Sequence, residues 1–312
     1  MLFVLSAAVR FHARPAAECA ARSTPRLNHK AKQLAAELRR LEAKDIKKQL
    51  HVNDALAKQY EKHLEDFDKS KPLPACCLYD SPLYNTLNAP GFDHEDADWA
   101  NSHVRVFSGL YGLLRPFDEI QPLSLPVTLG TKLKTTKGNF LRDYWRDPVN
   151  RELDDALRGM PMPVMVNCGV EAEEGVFDFE QLPEGTSMTT INFKIPDKGT
   201  AAAAMGEFVH WALATRCQTV EELLAFKGLV DDDDDGTFRL SPKAAEKDTI
   251  VFEEHVGERI DGNWNKRIAD SGLSKKAFIK ENLSGKNKYK RTEMNKAMAK
   301  SEKSARKKHA VY

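Results

Sequence analysis

A short stretch rich in glycine holds the residues whose types and spacing are best suited to chemistry. It runs Phe107-Ser-Gly-Leu-Tyr-Gly-Leu-Leu-Arg-Pro-Phe-Asp-Glu-Ile-Gln-Pro122. Glycine adopts positive φ and lets the backbone approach a partner closely, and proline prevents a helix from continuing. Such a turn either shapes the chain or presents backbone N–H groups to an anion. The residues predicted to contact DNA or another phosphate are Ser108, Gly109, Tyr111, Gly112 and Arg115.

The Gly109-Leu-Tyr-Gly112 turn resembles the hairpin of a helix-hairpin-helix element, whose backbone N–H groups bind a DNA phosphate. Residues 96–108 are predicted to form the helix that precedes the turn. The residues after it fit less well, because Pro116 leaves barely one helical turn. A structural turn that closes a helix onto a strand is therefore the favoured alternative.

Arg115 is followed three residues later by Asp118. A guanidinium binds phosphate or carboxylate through paired N–H donors, so Arg115 could hold an anionic ligand. The same spacing suits an ion pair with Asp118, and we favour this structural role.

Asn167 and Cys168 end an apolar run that is predicted to be a buried strand. Strand ends in α/β proteins often carry site residues. An amide both donates and accepts hydrogen bonds, which makes Asn167 a candidate for a pocket. Cys168 has no His or acid at a suitable spacing, so a buried apolar thiol is the better interpretation.

Two acidic stretches resemble metal sites only in part. Asp231–Asp235 and Gly236 match the start of a calcium loop, but Pro242 stands where the bidentate Glu belongs. An exposed acidic loop explains this run better. His94–Asp98 is more typical of the charged, capped start of a helix than of a metal site. No Cys/His spacing fits zinc. We therefore predict no metal site, and the sequence identifies no cofactor.

The net charge of +1 hides a strong asymmetry. Residues 275–312 contain 13 Lys/Arg and 3 Asp/Glu, whereas the preceding 274 residues contain 34 and 43. Apolar residues become sparse from about residue 257, so we predict a body at 1–256 and a disordered or conditionally helical tail at 257–312. The tail is predicted to bind DNA or another polyanion through counterion release. It could instead be a localisation signal or a solubilising segment. The predicted contacts are Lys286, Lys288, Lys290, Arg291, Arg306, Lys307 and Lys308.

Helices and short strands alternate along the body, which predicts an α/β (mixed α+β) fold with a single domain. A central mixed sheet flanked by helices is the expected architecture. The predicted strands are 2–6, 76–79, 164–168, 189–193 and 249–252, with 123–133 extended. The predicted helices lie within 30–68 and at 96–108, 140–157 (bent or split at Pro148) and 201–216, with a capping box at Thr219–Glu222.

The cysteines and the N-terminus bear on the compartment. The five cysteines are odd in number and include no Cys-x-x-Cys pair, so a disulfide framework is improbable and a reducing compartment is favoured. No apolar run approaches the ~18 residues of a membrane span. The apolar start, followed by Arg10, Arg14 and Arg22, fits either a targeting peptide or a buried first strand. The expected location is the cytoplasm, with organelle targeting as the alternative.

Residues 107–145 resemble the signature of the YaaA family of bacterial peroxide stress proteins. The family block Ser-Gly-Leu-Tyr-Gly-x-Leu-Arg-Pro-x-Asp is matched by Ser108–Pro116 and Asp118. Further matches are Ile120, Pro122, Gly138, Leu141 and the Tyr144-Trp145 pair. Weaker similarity extends from Met1 to about Glu254. The opening strand of the family matches Met1–Ser6, which favours a buried strand over a targeting peptide at the N-terminus.

The resemblance implies an intracellular α/β domain with a groove and a role in resisting hydrogen peroxide by limiting free iron. It also implies DNA binding, with a nucleotide- or nucleobase-acting enzyme as the alternative. Several charged groove residues of the family are missing. For example, the family's opening motif Ser-Pro-Ala-Lys-Thr corresponds to Ser6–Arg10 here, and its lysine is lost. Turn and core residues are kept, so we expect a retained fold with an altered or lost site. Asp118, Trp145 and Asn167 are the pocket candidates, and whether the protein is an enzyme stays open.

Overall fold

A computed structural model describes residues 1–12, 19, 21–122, 131–169, 175–228, 238–241 and 248–254. These residues form two compact units. The first comprises 1–84 and 88–191, and the second comprises 85–87 and the described residues from 192 onward. The predicted basic tail, 257–312, lies outside the described residues, so the boundary at 256 stays a prediction.

The first unit is built on a mixed sheet. Its strands and helices are β1 (Leu2–Ser6), α1 (Asn28–Leu38), α2 (Ala43–Leu50), α3 (Asp54–Glu65), β2 (Leu73–Pro74), α4 (Ala75–Leu78), α5 (Pro82–Leu87, whose last three residues belong to the second unit), α6 (His94–His103), β3 (Val104–Ser108), β4 (Gly112–Leu114), β5 (Glu119–Ile120), α7 (Leu141–Leu157), β6 (Val164–Asn167) and the start of β7 (Ser187–Lys194). The strand order is β4-β3-β1-β6-β7. β1 is parallel to β3 and β6, β6 is parallel to β7, and β4 is antiparallel to β3. β2 and β5 form a separate antiparallel pair.

The central strand β1 confirms the prediction of a buried N-terminal strand. Leu2, Phe3, Val4 and Leu5 are all buried. A strand with neighbours on both edges and cover on both faces needs an unbroken apolar run, which these residues provide. Helices flank the sheet: α6 packs against β1 and β3, and α7 packs against β4. The mixed α/β fold with a mixed sheet flanked by helices is thus confirmed.

Two sequence predictions of secondary structure were wrong. The helix predicted at 96–108 ends at His103, and Val104–Ser108 form β3. Val104 and Val106 are β-branched and buried, so the sheet accommodates them better than a helix does. The strand predicted at 76–79 is the short helix α4, closed by Tyr79 N–H donating to the Ala75 carbonyl at 3.0 Å. A short apolar run is buried in either conformation, so its pattern does not separate the two.

Helix α7 confirms the helix predicted at 140–157, although it is not split at Pro148. Asp143 caps its first turn. The Asp143 Oδ2 accepts from the backbone N–H groups of Asn139 at 3.1 Å and Phe140 at 3.0 Å. The buried face of the helix carries Leu141, Tyr144, Trp145, Val149, Asn150, Leu153 and Leu157.

The second unit contains α8 (Lys198–Ala214), α9 (Val220–Leu223), β8 (Phe238–Leu240) and β9 (Thr249–Glu254), together with the end of β7. β9 lies between β7 and β8, and β8 is antiparallel to β9. Aromatic rings fill its core, with centroid separations of 5.2 Å for Phe193–Phe238 and Phe208–Phe226. The predicted strands at 189–193 and 249–252 and the helix at 201–216 are confirmed. The Thr219–Glu222 capping box is also present.

One disulfide joins Cys19 to Cys77 among the described residues, whereas Cys76, Cys168 and Cys217 are free and buried. The cysteine count and spacing made a disulfide framework improbable, and they did not predict this single cross-link. His12 N–H donates to the Leu78 carbonyl at 2.9 Å, so His12 lies beside the end of α4. That neighbourhood is tertiary and leaves no mark in the cysteine spacing.

Candidate functional site

The glycine-rich signature forms a β-hairpin and not a helix-hairpin-helix turn, which was the less favoured of the two interpretations. β3 and β4 are joined by the three residues Gly109–Tyr111, and Ser108 lies opposite Gly112 in the register. Gly112 has φ of +70°, the left-handed conformation that closes such a loop. Tyr111 N–H donates to Ser108 Oγ at 3.2 Å inside the turn.

Trp145 of α7 explains why a glycine is needed at position 112. Its Nε1 donates to the Gly109 carbonyl at 2.9 Å, and the indole is fully buried. A Cβ on residue 112 would lie only 2.5 Å from Trp145 Cε3, so no larger residue fits there. The backbone of the hairpin therefore packs directly against the Trp145 indole of α7.

The hairpin turn is buried along its whole length, from Gly109 to Gly112. The Tyr111 hydroxyl accepts from the Gln121 N–H at 3.0 Å, and the Tyr111 N–H is already used by Ser108. A buried turn whose polar groups are engaged internally has little to offer a DNA phosphate. The geometry thus favours the structural interpretation of this turn.

Polar groups gather where β3, β1 and β6 end. The Tyr84 hydroxyl donates to the Ser6 carbonyl at 2.8 Å, and Ser6 Oγ donates to the Gly169 carbonyl at 3.1 Å. Asn167 Oδ1 accepts from the Gly169 N–H at 3.2 Å. The carboxyl ends of parallel strands are the usual place for a ligand in α/β proteins.

Two groups at this edge are poor acids. Burial raises the pKa of the Cys168 thiol above its ordinary value, so the thiolate needed for nucleophilic attack is disfavoured. Burial also raises the pKa of the Tyr79 hydroxyl, which is a hydrogen-bond partner of Ser108. These groups therefore act as neutral packing and hydrogen-bonding side chains.

Arg115 and Asp118 form the ion pair that their spacing predicted. Arg115 Nε and Nη2 both donate to Asp118 Oδ1, at 3.1 and 2.9 Å, and the Arg115 N–H donates to Oδ2 at 2.8 Å. Ser23 Oγ donates to the same carboxylate at 2.7 Å, and Arg115 Nη2 donates to the Thr24 carbonyl at 2.9 Å. Asp118 is only 1% exposed. The pair ties the segment before α1 to the β4–β5 connection.

Asn167 does not join this pair. β6 is separated from β4, which leads into Arg115, by β1 and β3. At about 4.8 Å between neighbouring strands, the two backbones are roughly 14 Å apart. The three pocket candidates therefore lie in different places: Asp118 in the internal ion pair, Trp145 in the core and Asn167 at the end of β6.

Two charged residues whose pKa values are shifted by burial were not among the predicted site residues. Arg105 lies in β3 and is 7% exposed, with its Nη1 donating to the carbonyls of Asn101 and Val104 at 2.8 Å. Burial, and next the charges of Arg26 and Arg115, lower the pKa of Arg105 to about 10. The signal was a single cation inside an apolar run, Val104-Arg-Val-Phe107.

Glu207 of α8, in the second unit, is the other. Burial raises the pKa of its carboxyl to about 7. Its position on a mostly apolar, alanine-rich helix was the signal available in the sequence.

The remaining site predictions concern metals, the membrane and the tail. Over the part of the chain that is described, no group of three His, Cys, Asp or Glu is placed to hold a metal ion. His94–Asp98 begin α6, and Asp93 Oδ1 caps it by accepting from the Asp96 N–H at 2.9 Å, as predicted for a helix start. The Asp231–Asp235 run and the tail cations lie outside the described residues.

None of the described helices has both the length and the apolar character that a bilayer crossing requires.

Comparison with known proteins identifies relatives over most of the chain. The family model described as peroxide stress protein YaaA matches residues 1–230. A UPF0246 protein of Caulobacter vibrioides is 33% identical over 213 residues, covering 65% of this chain and 82% of that protein. A UPF0246 protein of Cereibacter sphaeroides strain ATCC 17025 is 30% identical over 266 residues, covering 81% and 98%.

Proposed function

Because this chain belongs to the YaaA family of peroxide stress proteins, we propose that it acts in the cellular response to hydrogen peroxide and binds DNA weakly, without sequence specificity. The body supplies the family fold, and the basic tail supplies the charge. The protein performs no chemistry of its own in this account.

The distribution of charge is the observation that carries the DNA-binding part. Thirteen of the 47 Lys/Arg lie in the last 38 residues, with only 3 Asp/Glu. Cations in contact with phosphates provide nearly all of non-specific affinity. In the body, by contrast, the hairpin turn is buried and Arg115 is paired with Asp118, so neither supports a DNA contact.

The test is DNA affinity in the full-length chain after neutralising the tail. The variant replaces Lys286, Lys288, Lys290, Arg291, Arg306, Lys307 and Lys308 by glutamine. A matched control neutralises seven exposed body lysines: Lys32, Lys48, Lys58, Lys62, Lys71, Lys134 and Lys137. We expect fluorescence anisotropy with a random duplex to show affinity lost in the tail variant and largely kept in the control. Equal affinity in the tail variant and the unmodified protein would refute the assignment.

The peroxide part is tested in cells. Deleting the gene should sensitise the source organism to hydrogen peroxide, and the unmodified chain should restore growth. A deletion strain that tolerates peroxide as well as its parent would argue against the proposed role.

The alternative, a nucleotide- or nucleobase-acting enzyme, has less support. It requires Arg115 to hold a phosphate while Asn167 or Asp118 positions the rest of the ligand. Arg115 and Asp118 instead bind each other, and Asn167 lies three strand spacings away.

A further inference from the structure

Arg105 carries a buried charge for which the described residues provide no carboxylate partner. Within the described ranges its hydrogen bonds are those of Nη1 to two backbone carbonyls, and its guanidinium forms no ion pair. A guanidinium has five N–H donors, and these two bonds use only the donors of Nη1. The Nε and Nη2 donors therefore have no acceptor among the described residues. An ionised group out of water is costly unless an opposite charge accompanies it.

Neighbouring segments bring two more guanidinium groups to Arg105. Leu114 pairs with Val106 in the antiparallel register, so Arg115 follows β4 beside Arg105. The Phe117 N–H donates to Asn101 Oδ1 at 3.1 Å, and Asn101 is the residue whose carbonyl binds Arg105. Arg115 Nη2 holds the Thr24 carbonyl, which brings the chain leading to Arg26 to the same place.

The charges of this group do not balance. Arg115 is paired with Asp118 at 2.9 Å, and Arg26 is paired with Glu152 at 3.3 Å. Among the residues that the structure describes, these three guanidinium groups thus have two carboxylate partners, and the excess charge belongs to Arg105. The lowered pKa of Arg105 has the same origin, since burial and the two other arginines disfavour its cation.

We propose that Arg105, together with Arg26, forms a binding site for a small oxyanion of the phosphate class beside the amino-terminal end of β3, while Arg115 stays paired with Asp118 and adds positive charge next to the site. A planar guanidinium matches the oxygen pairs of such an ion through two parallel N–H donors. The Arg26 side chain is 49% exposed and that of Arg115 is 24% exposed, so the site is open to solvent on that side. The ligand supplies the negative charge that the group lacks.

The burial of Arg105 limits the kind of ligand. With 7% of its surface exposed, it is reached by a free phosphate or by the terminal phosphate of a mononucleotide. The bridging phosphodiesters of a duplex are held at the surface of a rigid helix and do not enter. This site is therefore distinct from the tail-mediated DNA binding proposed above, and either can fail without the other.

The test is thermal unfolding of the full-length protein with inorganic phosphate, at an ionic strength matched with chloride. Phosphate should raise the Tm of the unmodified protein and of Arg158→Met, a control at an exposed arginine paired with Asp154. Arg105→Met should show no phosphate-dependent rise, and without phosphate its Tm should equal or exceed that of the unmodified protein. The proposal is overturned if Arg105→Met responds to phosphate as the unmodified protein does, or if neither responds.

Titration calorimetry separates the sources and guards against a variant that fails to fold. Arg105→Lys keeps the positive charge but lacks the two parallel N–H donors of the guanidinium. We expect it to bind phosphate at least about tenfold more weakly than the unmodified protein does. Arg26→Gln, on the exposed side, should weaken binding several-fold. A nucleoside monophosphate should compete with phosphate, whereas a dinucleotide that has only a bridging phosphodiester should not. Equal affinity of phosphate for both variants and the unmodified protein would contradict the assignment.

Discussion

Gly112 and Trp145 show how a family signature can be structural in origin. The glycine takes φ of +70° and lies against the indole, and the indole N–H binds the Gly109 carbonyl. Gly112 and Trp145 thus restrict each other through packing. Backbone conformation and packing therefore explain why these residue types stand at these positions.

Replacing Gly112 by alanine tests this packing. The new methyl group would meet Trp145 at 2.5 Å and would force alanine into the left-handed region. We expect a loss of about 2–4 kcal/mol in the free energy of unfolding, from overpacking and backbone strain together. Urea denaturation measures it.

Gly159→Ala is the matched control, because a Cβ there meets nothing within 4 Å. Its free energy of unfolding should change by no more than about 0.5 kcal/mol. Similar losses at both positions would show that the clash with Trp145 is not the cause.

Glu207 makes stability depend on pH. Burial raises the pKa of its carboxyl from 4.5 to about 7 in the folded protein, so the folded state holds the proton more tightly than the unfolded state. Its contribution to stability is therefore greatest below about pH 4.5 and declines as pH rises to about 7, by up to about 3 kcal/mol.

Glu207→Gln should remove this decline, so the variant should gain stability over the unmodified protein at pH 8 and not at pH 4. Urea denaturation across this pH range gives the comparison. Glu184→Gln, at an exposed glutamate, should follow the unmodified protein. A parallel pH profile in Glu207→Gln and the unmodified protein would exclude Glu207 as the source.

At the scale of elements, the sequence correctly predicted the strands and helices whose apolar pattern matches their burial in the fold. β1 is an unbroken apolar run in the middle of the sheet, and α7 presents an apolar face at helical spacing. The boundary between α6 and β3 was misplaced, because Trp99, His103 and Phe107 also recur at a helical interval. The parallel pairing of β3 with β1 decides the matter, and such pairing is not visible locally.

The start of α7 depends on Asp143. Its carboxylate accepts from the N–H groups of Asn139 and Phe140, which otherwise have no partner within the helix. Asp143→Ala should lower the free energy of unfolding by about 1–2 kcal/mol. Asp147→Ala, at an exposed position of the same helix, should change it by less than about 0.5 kcal/mol. Chemical denaturation of both variants decides whether the loss of stability comes from the missing cap or from the removal of any carboxylate from this helix.

At the scale of the whole molecule, the candidate site was only partly predictable. The Arg115–Asp118 pair could be inferred because its partners are three residues apart. The surroundings of Arg105 could not, since they include Arg26 and Glu152, which are distant in the sequence. The contrast between an acidic body and a basic tail needs no structure, because net charge is a property of composition.

The salt dependence of DNA affinity tests the central claim, that the tail supplies the DNA contacts, most directly. The logarithm of the binding constant should fall linearly with the logarithm of salt concentration, with a slope of about −0.9 for each phosphate neutralised. The unmodified protein should show a steep slope, and neutralising the seven tail cations should make it shallower by up to about 6. A slope that is unchanged by the tail substitutions, but reduced by the seven body substitutions, would place the DNA contacts on the body and contradict the account.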